Sequence, residues 1–204
     1  MRLYLARHGD TGALERFYGA TDIPLSPHGQ EQAERLRDRL SEERIALFYA
    51  SDLKRAFHTA RVVASAHGKE PLPCPDLREV DFGEYEGLTF PEIAQIDPQA
   101  TYSWRASGYR FPGGGSPGEV GRRALAFSAR LEAESGAEGV LVVAHSGPLR
   151  WLLSHLLGLG PDAWWHIQLD AASLSLLEVK PRGTALLLLN DTRHLRDGLK
   201  RRQR

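Results

Sequence analysis

Histidine and arginine side chains stand at the ends of three apolar segments, in the tracts Arg7-His8-Gly9, Ser51-Asp52-Leu53-Lys54-Arg55 and His145-Ser146-Gly147. The forked N–H donors of arginine match the oxygens of a phosphoryl group. A neutral imidazole nitrogen can attack phosphorus and form a covalent phosphohistidine. If the three tracts lie together, they would therefore form an anion site, with phosphate as its natural occupant and a histidine as its nucleophile.

The other roles in such a site are open at this level. A second imidazole, in its protonated form, would stabilise charge on the equatorial oxygens, and a carboxylic acid would protonate the leaving alkoxide. The candidate carboxyl groups are Glu79, Asp81, Glu84 and Glu86. The pattern alone selects neither the acid nor the attacking histidine. His8 is favoured because Gly9 leaves space for a phosphoryl group, with Arg7 and Thr11 able to flank it.

Hydrophobic periodicity places the three tracts between strands and helices. Strands are predicted at Leu3–Ala6, Ile45–Ala50, within Leu72–Leu77, and at Val140–Ala144, Leu174–Val179 and Ala185–Leu189. Helical segments are predicted to begin near Ser26, Asp52, Thr89, Glu119 and Ser146. Residues 102–118 are predicted to be a loop, with Phe111–Gly118 as its most flexible part.

Strands that alternate with helices predict an α/β domain, a mostly parallel sheet covered on both faces in a three-layer α/β/α sandwich. Functional residues of such sheets lie just beyond the carboxyl ends of the strands. The three tracts would then share one edge, and helices starting after Asp52 and Ser146 would point their positive ends at it. The last two strands, joined by Pro181-Arg182-Gly183, are expected to form a hairpin. One domain is expected over residues 1–204.

Composition narrows the class of protein. Of the 204 residues, 26 are Lys or Arg and 26 are Asp or Glu, so no net field attracts nucleic acid or an acidic membrane surface. No apolar run approaches the roughly 18 residues of a membrane-spanning helix, and the N-terminal apolar stretch is too short for a signal peptide. The single cysteine, Cys74, is expected to be a buried, inert thiol. We expect a cytoplasmic protein that binds neither nucleic acid nor membrane.

Five blocks in chain order resemble the histidine phosphatase superfamily, which includes the cofactor-dependent phosphoglycerate mutases. They are Arg7-His8-Gly9-Asp10-Thr11; Asp22-Ile23-Pro24-Leu25-Ser26 with Gly29; Ser51-Asp52-Leu53-Lys54-Arg55-Ala56 with Thr59-Ala60; Leu77-Arg78-Glu79 with Gly83 and Glu86-Gly87; and Val143-Ala144-His145-Ser146-Gly147. The ending, residues 189–195, is similar to that of α-ribazole phosphatase-like members. The resemblance covers nearly the whole chain and implies a phosphoglycerate mutase-like fold.

The resemblance also implies a role for each matching residue. His8 would be the phosphorylated nucleophile, and Glu79 falls where the family has its proton donor. The phosphate pocket would be completed by Arg7, Arg55 and His145. The expected substrate contacts are Thr11, Ser146, Gly19 and Arg105. Neither a metal nor a cofactor is implied.

Three positions depart from the family pattern. Asp10 stands where Glu is usual, and Ser146 puts a side chain where the second histidine is often followed by Gly. Leu14 stands where Asn is frequent, and its side chain cannot hydrogen-bond a phosphate. That departure keeps a non-catalytic phosphate-binding module open as an alternative.

Hydrolysis of a phosphomonoester is the expected reaction. A mutase would need paired basic residues to hold a second acidic group, and the lid-like insertion over about residues 88–118 offers only Arg105 and Arg110. The alternatives are a phosphoglycerate mutase and a metal hydrolase using His8, Asp10 and His145. A small phosphorylated metabolite is the expected partner, and the resemblance of the ending points to α-ribazole 5′-phosphate, a precursor in cobalamin biosynthesis. A homodimer through Trp164-Trp165 and a solvated basic tail at 196–204 are further expectations.

Overall fold

The computed structural model describes residues 1–13, 15–104, 106, 108–134, 136–160 and 162–196. Its strands are β1 (Arg2–Arg7), β2 (Leu47–Ala50), β3 (Leu72–Pro73), β4 (Gly139–Ala144), β5 (Leu174–Lys180) and β6 (Gly183–Asp191). Its α-helices are α1 (Pro27–Leu40), α2 (Lys54–Ser65), α3 (Phe90–Ile96), α4 (Ala100–Ser103), α5 (Pro117–Ala133) and α6 (Ser146–Leu156). The third strand is short, as predicted, because Pro75 starts a 3₁₀ turn that ends at Leu77.

The strands of the described residues form one sheet in the order β3-β2-β4-β1-β5-β6. The first four strands in that order run parallel, β5 is antiparallel to β1, and β6 returns antiparallel beside β5. The predicted α/β class, mostly parallel sheet and C-terminal hairpin are therefore confirmed. Because β2, β4 and β1 are neighbours, their carboxyl ends at Ala50, Ala144 and Arg7 meet at one edge of the sheet.

Two apolar cores, one on each face of the sheet, hold the central strands in place. Side chains alternate between the faces along a strand, so neighbouring residues enter different cores. Leu3 and Leu5 of β1 pack in the core that includes Phe127 of α5 and Leu149 of α6. Tyr4 and Ala6 of β1 pack in the opposite core with side chains of α1 and α2, which include Leu36, Leu40 and Val63. This arrangement gives the predicted three layers and a rigid base for the functional edge.

Helix α1 is seated against the loop that follows His8. Its N-cap is Ser26, as predicted, and the Ser26 hydroxyl accepts from the Gly29 N–H over 3.0 Å. A Cβ at Gly29 would lie 1.9 Å from the Asp10 carbonyl oxygen, so glycine is needed for this approach. Asp10 completes the junction because its carboxylate accepts from the Ser26 hydroxyl (2.6 Å) and from the Gly12 N–H (2.8 Å). Asp10 therefore has a structural role at this junction.

The segment predicted to be most flexible, Phe111–Gly118, is packed and hydrogen-bonded. The Phe111 side chain is buried, its N–H donates to the Gly115 carbonyl, and the Gly115 N–H donates to the Asp81 carbonyl. The buried members of this third apolar cluster are Val80, Tyr85, Ile93, Ala100, Trp104, Phe111 and Val120. The prediction of flexibility is wrong because these glycines serve tight turns and close backbone contacts, such as Gly114 against Asp81 and Gly83.

Two expectations from composition can be compared with the structure. Cys74 is a buried free cysteine, and burial raises the pKa of its thiol, as expected for an inert group. No helix in the described part of the chain combines the length and apolar character that crossing a bilayer requires.

Candidate active site

The two histidines of the predicted site lie together at the carboxyl edge of the sheet. The ring centroids of His8 and His145 are 5.0 Å apart, and the ring planes meet at 60°. Both side chains are buried, with exposed fractions of 7% and 1%. Parallel pairing of β1 with β4 produces this approach, because Arg7 is the register partner of Ala144. Each histidine is the residue that follows its strand.

Hydrogen bonding assigns the tautomer of His8. Its Nδ1 lies 2.7 Å from the Gly9 carbonyl oxygen, which can only accept, so Nδ1 carries the proton. In the neutral ring, Nε2 then holds the free electron pair. Burial, followed by the charges of Arg7 and Arg55, lowers the pKa of His8 well below its ordinary 6.5. The ring is therefore neutral near pH 7, with Nε2 available as a nucleophile.

His145 has the opposite tautomer. The Nε–H of Arg55 donates to Nδ1 of His145 over 3.2 Å, and the second ring nitrogen lies 2.8 Å from the Ser51 hydroxyl oxygen. A guanidinium cannot accept, so Nδ1 is unprotonated and Nε2 carries the proton. Burial and neighbouring groups, His8 first among them, lower the pKa of His145 well below 6.5. The sequence left the protonation state of the second imidazole open, and in this structure His145 is a neutral Nε2–H donor.

Arg55 is fixed by carbonyl groups from the loop after β1. Its terminal nitrogens donate to the carbonyls of Thr21 (3.0 Å), Gly19 (2.7 Å) and Tyr18 (3.3 Å). Gly19 is also tightly packed, since a Cβ there would lie 1.6 Å from the Val80 carbonyl oxygen. Its N–H donates to the Glu86 carboxylate. In this structure Gly19 holds Arg55 and the Glu86 loop in place, and its contact with substrate stays a prediction.

Arg7 is the last residue of β1 and directly precedes His8. One terminal N–H donates to the Leu169 carbonyl over 2.8 Å, while Nε is buried without a hydrogen-bond acceptor among the described residues. Burial lowers the pKa of this guanidinium, and the nearby Glu79 carboxylate is the main group that opposes the shift. A buried donor that lacks a protein acceptor fits the recognition of a phosphoryl oxygen.

The structure distinguishes between the candidate carboxylates of residues 77–87. Glu79 is half-buried at the start of α6, where it accepts from the Ser146 hydroxyl (3.1 Å) and the Gly147 N–H (3.0 Å). A Cβ at Gly147 would lie 2.1 Å from the Glu79 Oε1, so this glycine makes room for the carboxylate. Glu86 accepts instead from the backbone N–H groups of residues 19, 20, 21 and 82. Asp81 and Glu84 are exposed. Glu79 is thus the carboxylate placed beside the histidine pair.

The remaining predicted residues have different surroundings. Thr11 lies half-buried in the loop after β1. Ser146 is placed at the site, but its hydroxyl is directed to Glu79. Gly9 was expected to leave space for phosphate; that reason is wrong, because a Cβ at Gly9 would lie 2.4 Å from the Gly29 carbonyl oxygen. Leu14, Arg105 and the tail at 197–204 lie outside the described residues.

Three further residues belong to the site and were missed as functional residues. Ser51 contacts His145, and its place in the predicted second tract was the available signal. Arg150 follows Ser146 by one helical turn, a spacing that puts both on one face of α6. The Arg123 guanidinium donates to the carbonyls of Pro75, Asp76, Arg78 and Glu79, and no sequence signal identifies it. In the described residues, no group of three His, Cys, Asp or Glu side chains could hold a metal ion.

Comparison with known proteins decides the family. The sequence pattern of the histidine phosphatase superfamily (branch 1) matches residues 3–192. This chain belongs to the histidine phosphatase superfamily. The predicted family and the predicted enzyme class, a phosphatase of that family, are confirmed.

Relatives align with this histidine phosphatase along most of its length. Phosphoserine phosphatase 1 of Hydrogenobacter thermophilus is 31% identical over 199 residues, which cover 96% of this chain and 94% of that protein. The adenosylcobalamin/α-ribazole phosphatase of Escherichia coli is 32% identical over 194 residues, with coverages of 93% and 96%. The crystal structure of the α-ribazole phosphatase from Shigella flexneri superposes with a TM-score of 0.85 at 31% identity, covering 94% of this chain and 96% of that one.

Proposed function

We propose that this histidine phosphatase hydrolyses a phosphomonoester in two steps, through a phosphohistidine at Nε2 of His8. The observation that carries the proposal is the Nδ1–H bond from His8 to the Gly9 carbonyl, which leaves the Nε2 electron pair free beside His145. Half-buried Arg7 and buried Arg55 supply positive charge that acts on both histidines. These groups suit a phosphoryl group held by N–H donors while its phosphorus is attacked.

Each step has a donor or acceptor in the structure. In the first, Nε2 of His8 forms a bond to phosphorus, the ester P–O bond breaks, and protonated Glu79 gives its proton to the leaving alkoxide. In the second, water attacks phosphorus, Glu79 takes a proton from it, and the P–N bond breaks to return His8 to its neutral form. The Nε2–H of His145 donates to the Ser51 hydroxyl in this structure, and the proposed mechanism has it exchange this acceptor for a phosphoryl oxygen in both steps.

Arg110 favours hydrolysis over mutase chemistry. A mutase needs free cations to hold the second acidic group of its substrate. The Arg110 side chain forms an ion pair with Glu119 and donates to the Gly114 carbonyl, so it is already committed to the protein. Arg105, the other candidate cation, lies outside the described residues. Water is therefore the proposed acceptor of the phosphoryl group.

A small phosphorylated metabolite is the proposed substrate, acted on in the cytoplasm without nucleic acid or membrane partners. The relatives carry two specific names, a phosphoserine phosphatase and an adenosylcobalamin/α-ribazole phosphatase. We retain α-ribazole 5′-phosphate, and with it a role in cobalamin biosynthesis, as the named candidate because the chain ending is similar to that of α-ribazole phosphatases. A homodimer stays a proposal as well.

The test is turnover and trapping of the intermediate. Wild type is expected to hydrolyse p-nitrophenyl phosphate in excess EDTA and to yield an alkali-stable phosphohistidine at position 8 after rapid quenching. His8→Ala should lower kcat by at least about 10³-fold, as loss of a nucleophile does in other hydrolases. His58→Ala, an exposed histidine of α2, is the matched control and should keep full activity.

Three results would contradict the proposal. Full activity of His8→Ala would show that His8 is not the nucleophile. Faster formation of 2-phosphoglycerate than of free phosphate from 3-phosphoglycerate, in the presence of the bisphosphorylated cofactor, would indicate a mutase. Binding of phosphate analogues without turnover of any ester would indicate a non-catalytic module.

A further inference from the structure

All the tryptophans of the chain line one cavity beside Glu79. The sequence has 4 tryptophans, and the cavity is lined by Trp104, Trp151, Trp164 and Trp165. The cavity has a volume of about 120 Å³, close to the roughly 150 Å³ of an apolar protein cavity that binds benzene. Glu79 and Ser146 form part of its wall. The cavity therefore adjoins the group that we propose protonates the leaving alkoxide.

The walls of this tryptophan pocket are flat rings in mutual contact. Trp151 and Trp164 stack with centroids 5.2 Å apart and planes 15° from parallel. Trp165 meets the edge of Trp164 at 5.3 Å, and Trp104 lies 5.1 Å from the ring of Phe17. The remaining aromatic walls are Phe82 and Phe111. Such surfaces suit a planar aromatic ring, which can stack on one indole or meet the edge of another.

One glycine allows this packing to form. A Cβ at Gly121 would lie 3.0 Å from the indole ring of Trp151. Helix α5 therefore approaches α6 closely at that position, and the Trp151 ring fills the contact. The backbone of α5 at Gly121 thus packs against Trp151, one member of the stacked pair of Trp151 and Trp164.

The pocket wall also contains N–H donors that lack protein acceptors. Nε1 of Trp104, Nε1 of Trp164 and Nε of Arg150 are buried without a hydrogen-bond partner in the described part of the chain. These N–H groups, with the charged ends of Arg150 and Glu79, are the polar parts of a wall that is otherwise mostly aromatic. The Arg150 guanidinium lies over the Trp165 ring, 5.8 Å from its centroid, and Glu79 is the main group that opposes the burial-induced lowering of the Arg150 pKa.

We propose that the tryptophan pocket holds the leaving group of the substrate, and that this group carries a flat aromatic or heteroaromatic ring. This inference rests on the proposed phosphatase function and names its substrate class. Glu79 and Arg150 place one carboxylate and one guanidinium in a wall that is otherwise mostly aromatic. The ring is therefore expected to contact the indoles, while polar substituents of the leaving group meet these two charged side chains.

Binding can be measured without turnover. Because the indoles all line the pocket, intrinsic fluorescence reports its occupancy. The probes are 2-phenylethylphosphonate, 2-cyclohexylethylphosphonate and ethylphosphonate, which share one head group. We expect the phenyl compound to bind at least about tenfold more tightly than the ethyl compound and about threefold more tightly than the cyclohexyl compound.

The corresponding phosphate esters test specificity in turnover. Their leaving alcohols have similar acidity, so differences in kcat/KM report binding of the ring. We expect the ratio of kcat/KM for 2-phenylethyl over ethyl phosphate to fall about tenfold in Trp165→Leu, a substitution at a half-buried wall position. Phe57→Leu, a half-buried aromatic outside the site, is the matched control and should keep the wild-type ratio.

The outcomes separate this inference from the proposed function. Equal affinity for the three phosphonates, or a ratio unchanged in Trp165→Leu, overturns the aromatic class. Hydrolysis of ethyl phosphate in that case would still support the phosphatase. A clear preference for the phenyl phosphonate without turnover of any ester supports the pocket and overturns the phosphatase instead.

Discussion

The Nε–H of Arg55 donates to Nδ1 of His145 across 3.2 Å, although the two residues are 90 positions apart in the chain. This bond fixes the tautomer of His145 and directs its remaining proton away from Arg55. The guanidinium is itself held by carbonyls of Tyr18, Gly19 and Thr21. The orientation of one imidazole thus depends on an arginine that a third segment positions.

Arg55→Lys should lower kcat/KM on the order of 10²-fold, because an ammonium group cannot donate to His145 and to the loop carbonyls at once. The measurement is steady-state hydrolysis of p-nitrophenyl phosphate. Arg61→Lys is the matched control, since Arg61 lies on the same helix with a side chain that is 60% exposed. Equal activity of the two variants would show that the bond to His145 has no catalytic consequence.

Stability should fall on acidification because His8 and His145 are buried in neutral form. Burial is the main cause that lowers the pKa of each imidazole well below 6.5. Below pH 6.5 the unfolded chain binds a proton at each ring and the folded chain does not, until the pH reaches the lowered folded pKa. Each ring therefore costs up to about 1.4 kcal/mol of unfolding free energy per pH unit in that window.

Urea unfolding from pH 7.5 to pH 5 measures this loss. His8→Gln should give a shallower dependence of unfolding free energy on pH than wild type, because one titrating ring is absent. Phe57→Leu removes no titrating group. It should lower the unfolding free energy by a similar amount at every pH, so the dependence on pH should keep the wild-type slope. A His8→Gln slope equal to that of wild type would contradict the assignment of a buried neutral His8.

Much of the fold and half of the site follow from local patterns. Val140–Ala144 is apolar on both faces, which indicates a central parallel strand and places His145 at its carboxyl end. The same reasoning places His8 after β1. Once parallel strands are neighbours, residues at their ends must meet, so the histidine pair was predictable without coordinates.

The choice of the acid and the shape of the pocket were not predictable in this way. Glu79 and Glu86 lie in the same irregular segment, and their contacts distinguish them. Glu79 accepts from the Gly147 N–H beside the histidine pair, whereas Glu86 accepts from the N–H groups of residues 19–21. Trp104 and Trp151 are distant in sequence, and neither helical nor strand periodicity predicts that they line the same cavity. Trp164, expected at a dimer contact, is 5% exposed within the chain and stacks on Trp151.

Glu79→Gln should slow esters with poor leaving groups more than esters with good ones. A poor leaving alkoxide needs a proton in the transition state, so kcat for ethyl phosphate should fall by about 10²–10⁴-fold. The p-nitrophenolate group leaves without a proton, so its ester should be affected less in single-turnover release of phenolate. Glu84→Gln, at an exposed carboxylate of the same segment, is the control and should retain both activities. An equal loss on both esters would argue against Glu79 as the acid.

Arg123 connects helix α5 to the segment that carries Glu79. Its guanidinium donates to four carbonyls, those of Pro75 (3.2 Å), Asp76 (3.1 Å), Arg78 (2.8 Å) and Glu79 (3.2 Å). Arg123→Met keeps much of the apolar stem and removes all four bonds. We expect the Glu79 segment to lose its fixed position, so kcat for ethyl phosphate should fall about tenfold, less than the loss expected when the acid itself is absent.

The control for this variant is Arg122→Met at the neighbouring position, where the side chain is 73% exposed. It should keep wild-type turnover. A positioning role also predicts that Arg123→Met spares single-turnover release of p-nitrophenolate, as Glu79→Gln does, because both act on proton donation. A uniform loss on both esters, together with a lower unfolding free energy, would instead assign Arg123 to general stability of the fold.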